Sequence, residues 1–96
     1  MYGTIARIQI KPGAEAELDR MGREQSAQID GFVFEHVFRL DEDPHHVMLV
    51  VAFTDKAAYQ ANATSPEQHE RYGQLRALMT ADPEWHDGEI ISSYTK

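Results

Sequence analysis

The chain has 96 residues, 42% of them hydrophobic and 26% charged, with a formal charge of −7 and no cysteine. That length and composition fit one folded domain over residues 1–96 and exclude a disordered chain, while the lack of thiols excludes disulfides, thiolate catalysis and cysteine-based metal sites. Scattered Lys and Arg residues under a net negative charge argue against nucleic-acid binding, and with neither a membrane-spanning apolar run nor a secretory signal the expected setting is the cytoplasm, with no membrane partner.

The first predicted element is a strand, Tyr2–Ile10, whose alternation puts Thr4, Ala6, Ile8 and Ile10 on one side and Arg7 and Gln9 on the other. Lys11-Pro12-Gly13 breaks it. A helix follows from about Ala14 to Gln28, with Leu18, Met21 and Gln25 at helical spacing and Glu15, Glu17 and Asp19 loading its positive end with negative charge. Asp30-Gly31 ends that helix.

The centre of the chain reads as two strands, Gly31–Leu40 and His46–Thr54, joined by the turn Asp41–His45. Alternation in the first places Phe32, Phe34, His36, Phe38 and Leu40 on one face and Val33, Glu35, Val37 and Arg39 on the other. The second, Val47-Met48-Leu49-Val50-Val51-Ala52-Phe53, is apolar on both faces, so both sides of the sheet must be covered. Two helical segments cover one side; a second copy of the chain is expected on the other, giving a homodimer.

Asp55 is suited to cap a short helix, Lys56–Ala63, and Ser65-Pro66-Glu67-Gln68 starts another with Ser65 as N-cap and Pro66 in the first helical position. That helix carries Gln68, Tyr72, Leu75 and Met79 on one stripe and is expected to stop near Asp82-Pro83. A last strand is predicted over Glu89–Tyr94. The order is βαββαβ, with the second helical region broken at Thr64.

His36 stands out as the one polar ring in an aromatic row, able to take a proton near neutral pH if that row faces a pocket; otherwise it is a hydrogen-bonded core residue. Tyr59 and Tyr72 each offer a hydroxyl to a developing oxyanion. Phe32, Phe34, Phe38 and Phe53 form a slot for a planar ring, or simply core. Trp85 either closes the pocket mouth or packs on a partner subunit. His45-His46 follows three acidic residues, but adjacent strand residues point apart and no metal-ligand spacing occurs, so a solvated turn and no metal site is the reading.

The segments Ile5-Ala6-Arg7-Ile8-Gln9-Ile10-Lys11-Pro12-Gly13, Asp30-Gly31-Phe32, Val50–Tyr59 and Ala61–Pro66 resemble the dimeric α+β barrel proteins, and within them the antibiotic-biosynthesis monooxygenase family. The resemblance covers nearly the whole chain. It implies an α+β, ferredoxin-like βαββαβ subunit with an antiparallel sheet, two of which form a barrel. Members that oxidise anthrones imply a chemistry without metal, flavin or haem, in which a bound phenol is deprotonated and its electron-rich carbanion reduces oxygen directly. By that resemblance Tyr59 matches a pocket tyrosine, Phe53 stands where those enzymes carry a tryptophan, and Leu49 where they carry an asparagine. Their pocket histidine aligns nearer Phe38, with His36 one pleat away, and their pocket arginine falls at Arg71 or Tyr72. The haem-degrading branch matches less well, since its axial histidine falls at about Tyr72, one turn beyond His69. The expected function is a cofactor-independent monooxygenase acting on a small electron-rich aromatic. His36, Tyr59 and Tyr72 are its catalytic candidates, and Phe34, Phe38, Leu49, Phe53, Arg71 and Trp85 line the substrate. The alternative is a non-catalytic binding or stress-response protein that takes an aromatic or haem-like ligand in the same pocket, and a third reading is a barrel kept mainly for assembly with another chain.

Overall fold

Along β1 (Tyr2–Gln9) and the residue after it, Thr4, Ala6, Ile8 and Ile10 are all buried, as their alternation requires. A computed structural model of the protein describes residues 1–96 and adds α1 (Glu15–Ser26), β2 (Phe32–Arg39), β3 (His46–Phe53), α2 (Lys56–Ala63), α3 (Pro66–Arg76) and β4 (Glu84–Glu89). The strands form one antiparallel sheet in the order β2-β3-β1-β4. This is a ferredoxin-like α+β fold. Its core lies between α1 and the sheet, where Leu18 packs with Ala6, Ile8, Val47 and Leu49.

Three elements differ from the sequence expectation. The last strand is Glu84–Glu89, not Glu89–Tyr94. Its partner β1 fixes this: Arg7 pairs with Glu84 and Tyr2 with Glu89, and the amide of Ile90 donates to the Met1 carbonyl at 2.9 Å, so no partner strand remains beyond that point. All six residues of β4 are exposed, so this edge strand is held by its backbone ladder rather than by an apolar pattern. Helix α3 stops at Arg76 instead of near Asp82 because the chain then turns onto the end of β1. There the Lys11 amide donates to Leu78 O at 2.8 Å and the Thr80 amide to Gln9 O at 3.0 Å, burying Met79.

The third difference governs the site. A bulge interrupts β2 between Phe32 and Phe34, so Phe32 lies opposite Phe53 while Phe34 lies opposite Ala52. The alternation changes phase there. Phe32, Glu35, Val37 and Arg39 face the helices, whereas Phe34, His36 and Phe38 face the opposite side of the sheet. On that uncovered side a lateral row runs His36, Val50, Ile5, His86, and the next runs Phe38, Met48, Arg7, Glu84. Phe38 is 55% and Ile5 47% exposed there.

Gly31, at φ +77°, turns the chain from α1 into β2, and a Cβ at that position would sit 2.6 Å from Ala58 Cβ in α2. Gly13 shares the left-handed geometry, at φ +79°, but a Cβ there meets nothing. Gly13→Ala is therefore expected to cost about 1–2 kcal/mol from backbone strain alone, and Gly31→Ala more, because α2 must also shift. Urea unfolding of the two variants checks the order.

Candidate active site

One lateral row crosses all four strands beneath the helices: Glu35 lies opposite Val51, Val51 opposite Thr4, and Thr4 opposite Asp87. These four side chains form the floor of a cavity of about 510 Å³ enclosed by α1, α2 and α3. Phe32, Phe53, Tyr59, Tyr72 and Trp85 supply aromatic wall. Phe53 packs edge-on against both Phe32 and Tyr59, with ring centroids 6.1 and 5.5 Å apart, and Tyr72 lies 6.3 Å from Trp85. An apolar pocket with a few placed polar groups is the usual form of a small-molecule site.

The break between α2 and α3 positions the cavity's cation. Ser65 Oγ accepts from the Gln68 amide at 3.1 Å, capping α3 and setting its first turn against the last turn of α2. Arg71 Nε then donates to Gln68 Oε1 at 3.1 Å and Arg71 Nη2 to Asn62 Oδ1 at 3.0 Å, while Asn62 Nδ2 donates to Gln68 Oε1 at 3.2 Å. Both acceptors are neutral amides. The guanidinium is thus oriented without its charge being cancelled.

Tyr59, on α2, donates its hydroxyl to Asp87 Oδ1 at 2.8 Å across the cavity's β4 side. Burial and then the Asp87 hydrogen bond push its phenol up to about 12, with the nearby Thr4 hydroxyl opposing the shift, although Thr4 Oγ1 itself makes no hydrogen bond of normal geometry. The fold holds this proton more tightly than the unfolded chain does. Its stabilising contribution is therefore complete below the ordinary phenol value of about 10 and is lost as pH rises towards about 12.

Glu35 sits against Gly22 of α1, and burial raises its carboxyl above the usual range. Of the residues singled out from the sequence, Leu49, Phe53, Tyr59, Arg71, Tyr72 and Trp85 line the cavity. Phe34, His36 and Phe38 do not: the bulge in β2 turns them to the far face, where the Phe34 and His36 rings stack at 4.9 Å. The same bulge brings Glu35 in. Thr4 was legible as an inward residue and its hydroxyl overlooked, whereas Asp87 was hidden by the misplaced last strand. No cluster of three or more His, Asp or Glu side chains is arranged to hold a metal ion; His46 Nδ1 instead pairs with Asp43 Oδ2 at 2.6 Å. No helix is long and apolar enough to cross a membrane.

A ferredoxin-like chain whose sheet and helices border an aromatic cavity with an oriented, uncancelled guanidinium leaves room there for a small ligand. The antibiotic biosynthesis monooxygenase family model matches residues 1–72, and the chain belongs to that family. Its fold is similar to that of SnoaB, a cofactor-independent oxygenase from Streptomyces nogalater, at 20% identity and a TM-score of 0.78 over 99% of this chain and 97% of that one. It is also similar to Rv0793 from Mycobacterium tuberculosis (15% identity, TM-score 0.73, 98% of each chain). A protein of unknown function from Nitrosomonas europaea gives 18% identity and a TM-score of 0.73 over 99% of this chain and 93% of that one. No curated protein matches the chain by sequence at a significant level.

Proposed function

We propose that the protein is a cofactor-independent monooxygenase acting on an electron-rich aromatic, a phenol, quinol or anthrone, with molecular oxygen as oxidant. The observation that carries this reading is Arg71, a guanidinium held by two amide oxygens among aromatic walls. Such a group favours an anionic ring over its neutral acid, and the loss of a phenolic proton is what makes the ring electron-rich enough to reduce oxygen. Leu49, Phe53 and Trp85 hold the ring plane, Tyr72 offers a hydroxyl to the oxyanion, and Tyr59 does so with its hydrogen bond to Asp87 exchanged for one to the ligand. Family membership and the likeness to a cofactor-independent oxygenase support this reading.

The working form in this proposal is a cytoplasmic homodimer in which the uncovered faces of two sheets pack together, as the apolar row through Val50 and Ile5 suggests. A second reading, binding without turnover, is favoured by one observation: the Tyr59 hydroxyl is already committed to Asp87. Oxygen uptake by the purified protein with hydroquinones, naphthols and anthrones separates the two. Uptake above the spontaneous rate that falls in Tyr59→Phe and persists per protomer in His36→Ala is the expected result. Ligand binding with no uptake across the panel would replace the oxygenase with a binding protein.

A further inference from the structure

Two polar side chains on the cavity floor make no hydrogen bond of normal geometry and no ion pair within the chain. Thr4 is 6% exposed and lines the cavity, and its Oγ1, although near the Tyr59 hydroxyl, makes no hydrogen bond of normal geometry. A buried hydroxyl left unpaired is costly unless something else occupies its hydrogen-bonding position. Two strands away in the same lateral row, Glu35 places a carboxylate on the floor beside Gly22. The charged neighbours of Glu35 are otherwise engaged. Asp19 and Arg23 on α1 border the smaller cavity that Glu35 also lines and pair with each other at 2.7 Å. On β2, Arg39 donates to Glu15 at 2.6 and 2.7 Å. Across the main cavity lie His69 and Arg71 on α3 and Asp87 on β4.

Resting on the oxygenase reading, we infer that Glu35 and Thr4 are the floor of the substrate site: Glu35 accepts the proton of a ligand hydroxyl, and Thr4 Oγ1 hydrogen-bonds a second oxygen on the far edge of the same ring system. Neighbouring strands are about 4.8 Å apart, which separates the two backbones by roughly 10 Å and leaves a span suited to one or two fused rings between the side chains. The ligand class is then a planar arene with oxygens on opposite edges, not a simple phenol. In the proton step the ligand O–H bond breaks and a Glu35 O–H bond forms. The negative charge moves from the carboxylate to the ring, where Arg71 faces it across the cavity. Burial, which raises the Glu35 carboxyl, suits it to this exchange.

Trp85 is the only tryptophan and lines the cavity, so its fluorescence reports binding. The probes are 2,6-dihydroxynaphthalene and its dimethyl ether, titrated from pH 4 to 8 against the wild-type protein, Glu35→Gln and Thr4→Val. The wild-type protein is expected to bind the diol about tenfold or more tighter than the ether, and to tighten on the diol as pH rises through the Glu35 titration. Glu35→Gln is expected to lose that pH dependence. Thr4→Val is expected to keep the pH dependence while losing about tenfold in diol affinity. Both variants should melt at least as high as the wild-type protein at pH 7, since each removes an unfavourably buried group. Equal binding of diol and ether, or a pH profile unchanged in Glu35→Gln, overturns the inference while leaving oxygen uptake free to support the wider reading. Failure of the diol to bind at all also overturns the inference, and the wider reading then stands or falls on oxygen uptake across the panel.

Discussion

Replacing Arg71 by leucine is expected to lower enzyme-dependent oxygen uptake at saturating aromatic substrate by about 10²–10³-fold, the effect of removing one preorganised group from a developing oxyanion. Between the rings of Phe32, Phe53, Tyr72 and Trp85, the charge acts in surroundings less polar than bulk water. The side chain is pre-set by Asn62 and Gln68, so little reorganisation accompanies the reaction. Arg71→Lys should fall between the two, because an ammonium keeps the charge but cannot reproduce two hydrogen bonds from one planar fork. Folding should survive in both variants: what is lost from the fold is two bonds to neutral amides, about 1 kcal/mol each. If uptake in Arg71→Leu stays within a few-fold of the wild-type rate, with circular dichroism unchanged, the guanidinium does not stabilise an anion and the oxygenase reading loses its main support.

Ile5→Asp is expected to convert the proposed dimer to monomers, read by sedimentation equilibrium or light scattering. In a two-fold interface every substitution enters twice. Two carboxylates would be placed in the central row between Val50 and His86, on a face that the protomer leaves without a helix. At about 3–5 kcal/mol for each unpaired buried charge, the dissociation constant should rise by roughly four orders of magnitude or more. Because Ile5 is 47% exposed in the protomer, the monomer itself should lose little from the change. A wild-type protein that is monomeric at micromolar concentration would sink the proposal that two sheets pack together.

The elements that alternation and capping specify were legible. Thr4, Ala6 and Ile8 declared the covered face of β1, Asp55 and Ser65 marked the starts of α2 and α3, and both side chains accept the amide bonds expected of caps, from Ala58 at 2.7 Å and Gln68 at 3.1 Å. What failed to show was whatever depends on a partner rather than on local pattern. The segment Glu84–Glu89, with Trp85 its one apolar side chain, becomes a strand only because the edge of β1 lies open beside it, whereas Ile91 and Tyr94 have strand-like side chains but lie past the Tyr2 end of β1 with no neighbour to pair with. The bulge was equally silent, since Phe32-Val33-Phe34-Glu35-His36-Val37-Phe38 reads as an unbroken alternation. The cavity was thus anticipated in its helical half, at Tyr59, Arg71 and Tyr72, and misread at the β2 edge of its floor.

The extra residue in β2 works as a phase switch for everything after it. With Val33 bulged out of the ladder, a carboxylate looks up into the helix-covered chamber and an imidazole looks out; were the same residues paired without a bulge, Val33 would take the place opposite Ala52, the rest of the strand would exchange sides, and His36 would look in while Glu35 looked out. Whether the ladder takes up one residue or two at this point therefore decides the acid–base character of the chamber and the composition of the opposite surface at once. Two chains that pair this strand with and without the bulge would carry different chemistry on the same scaffold, even with the same residues in it.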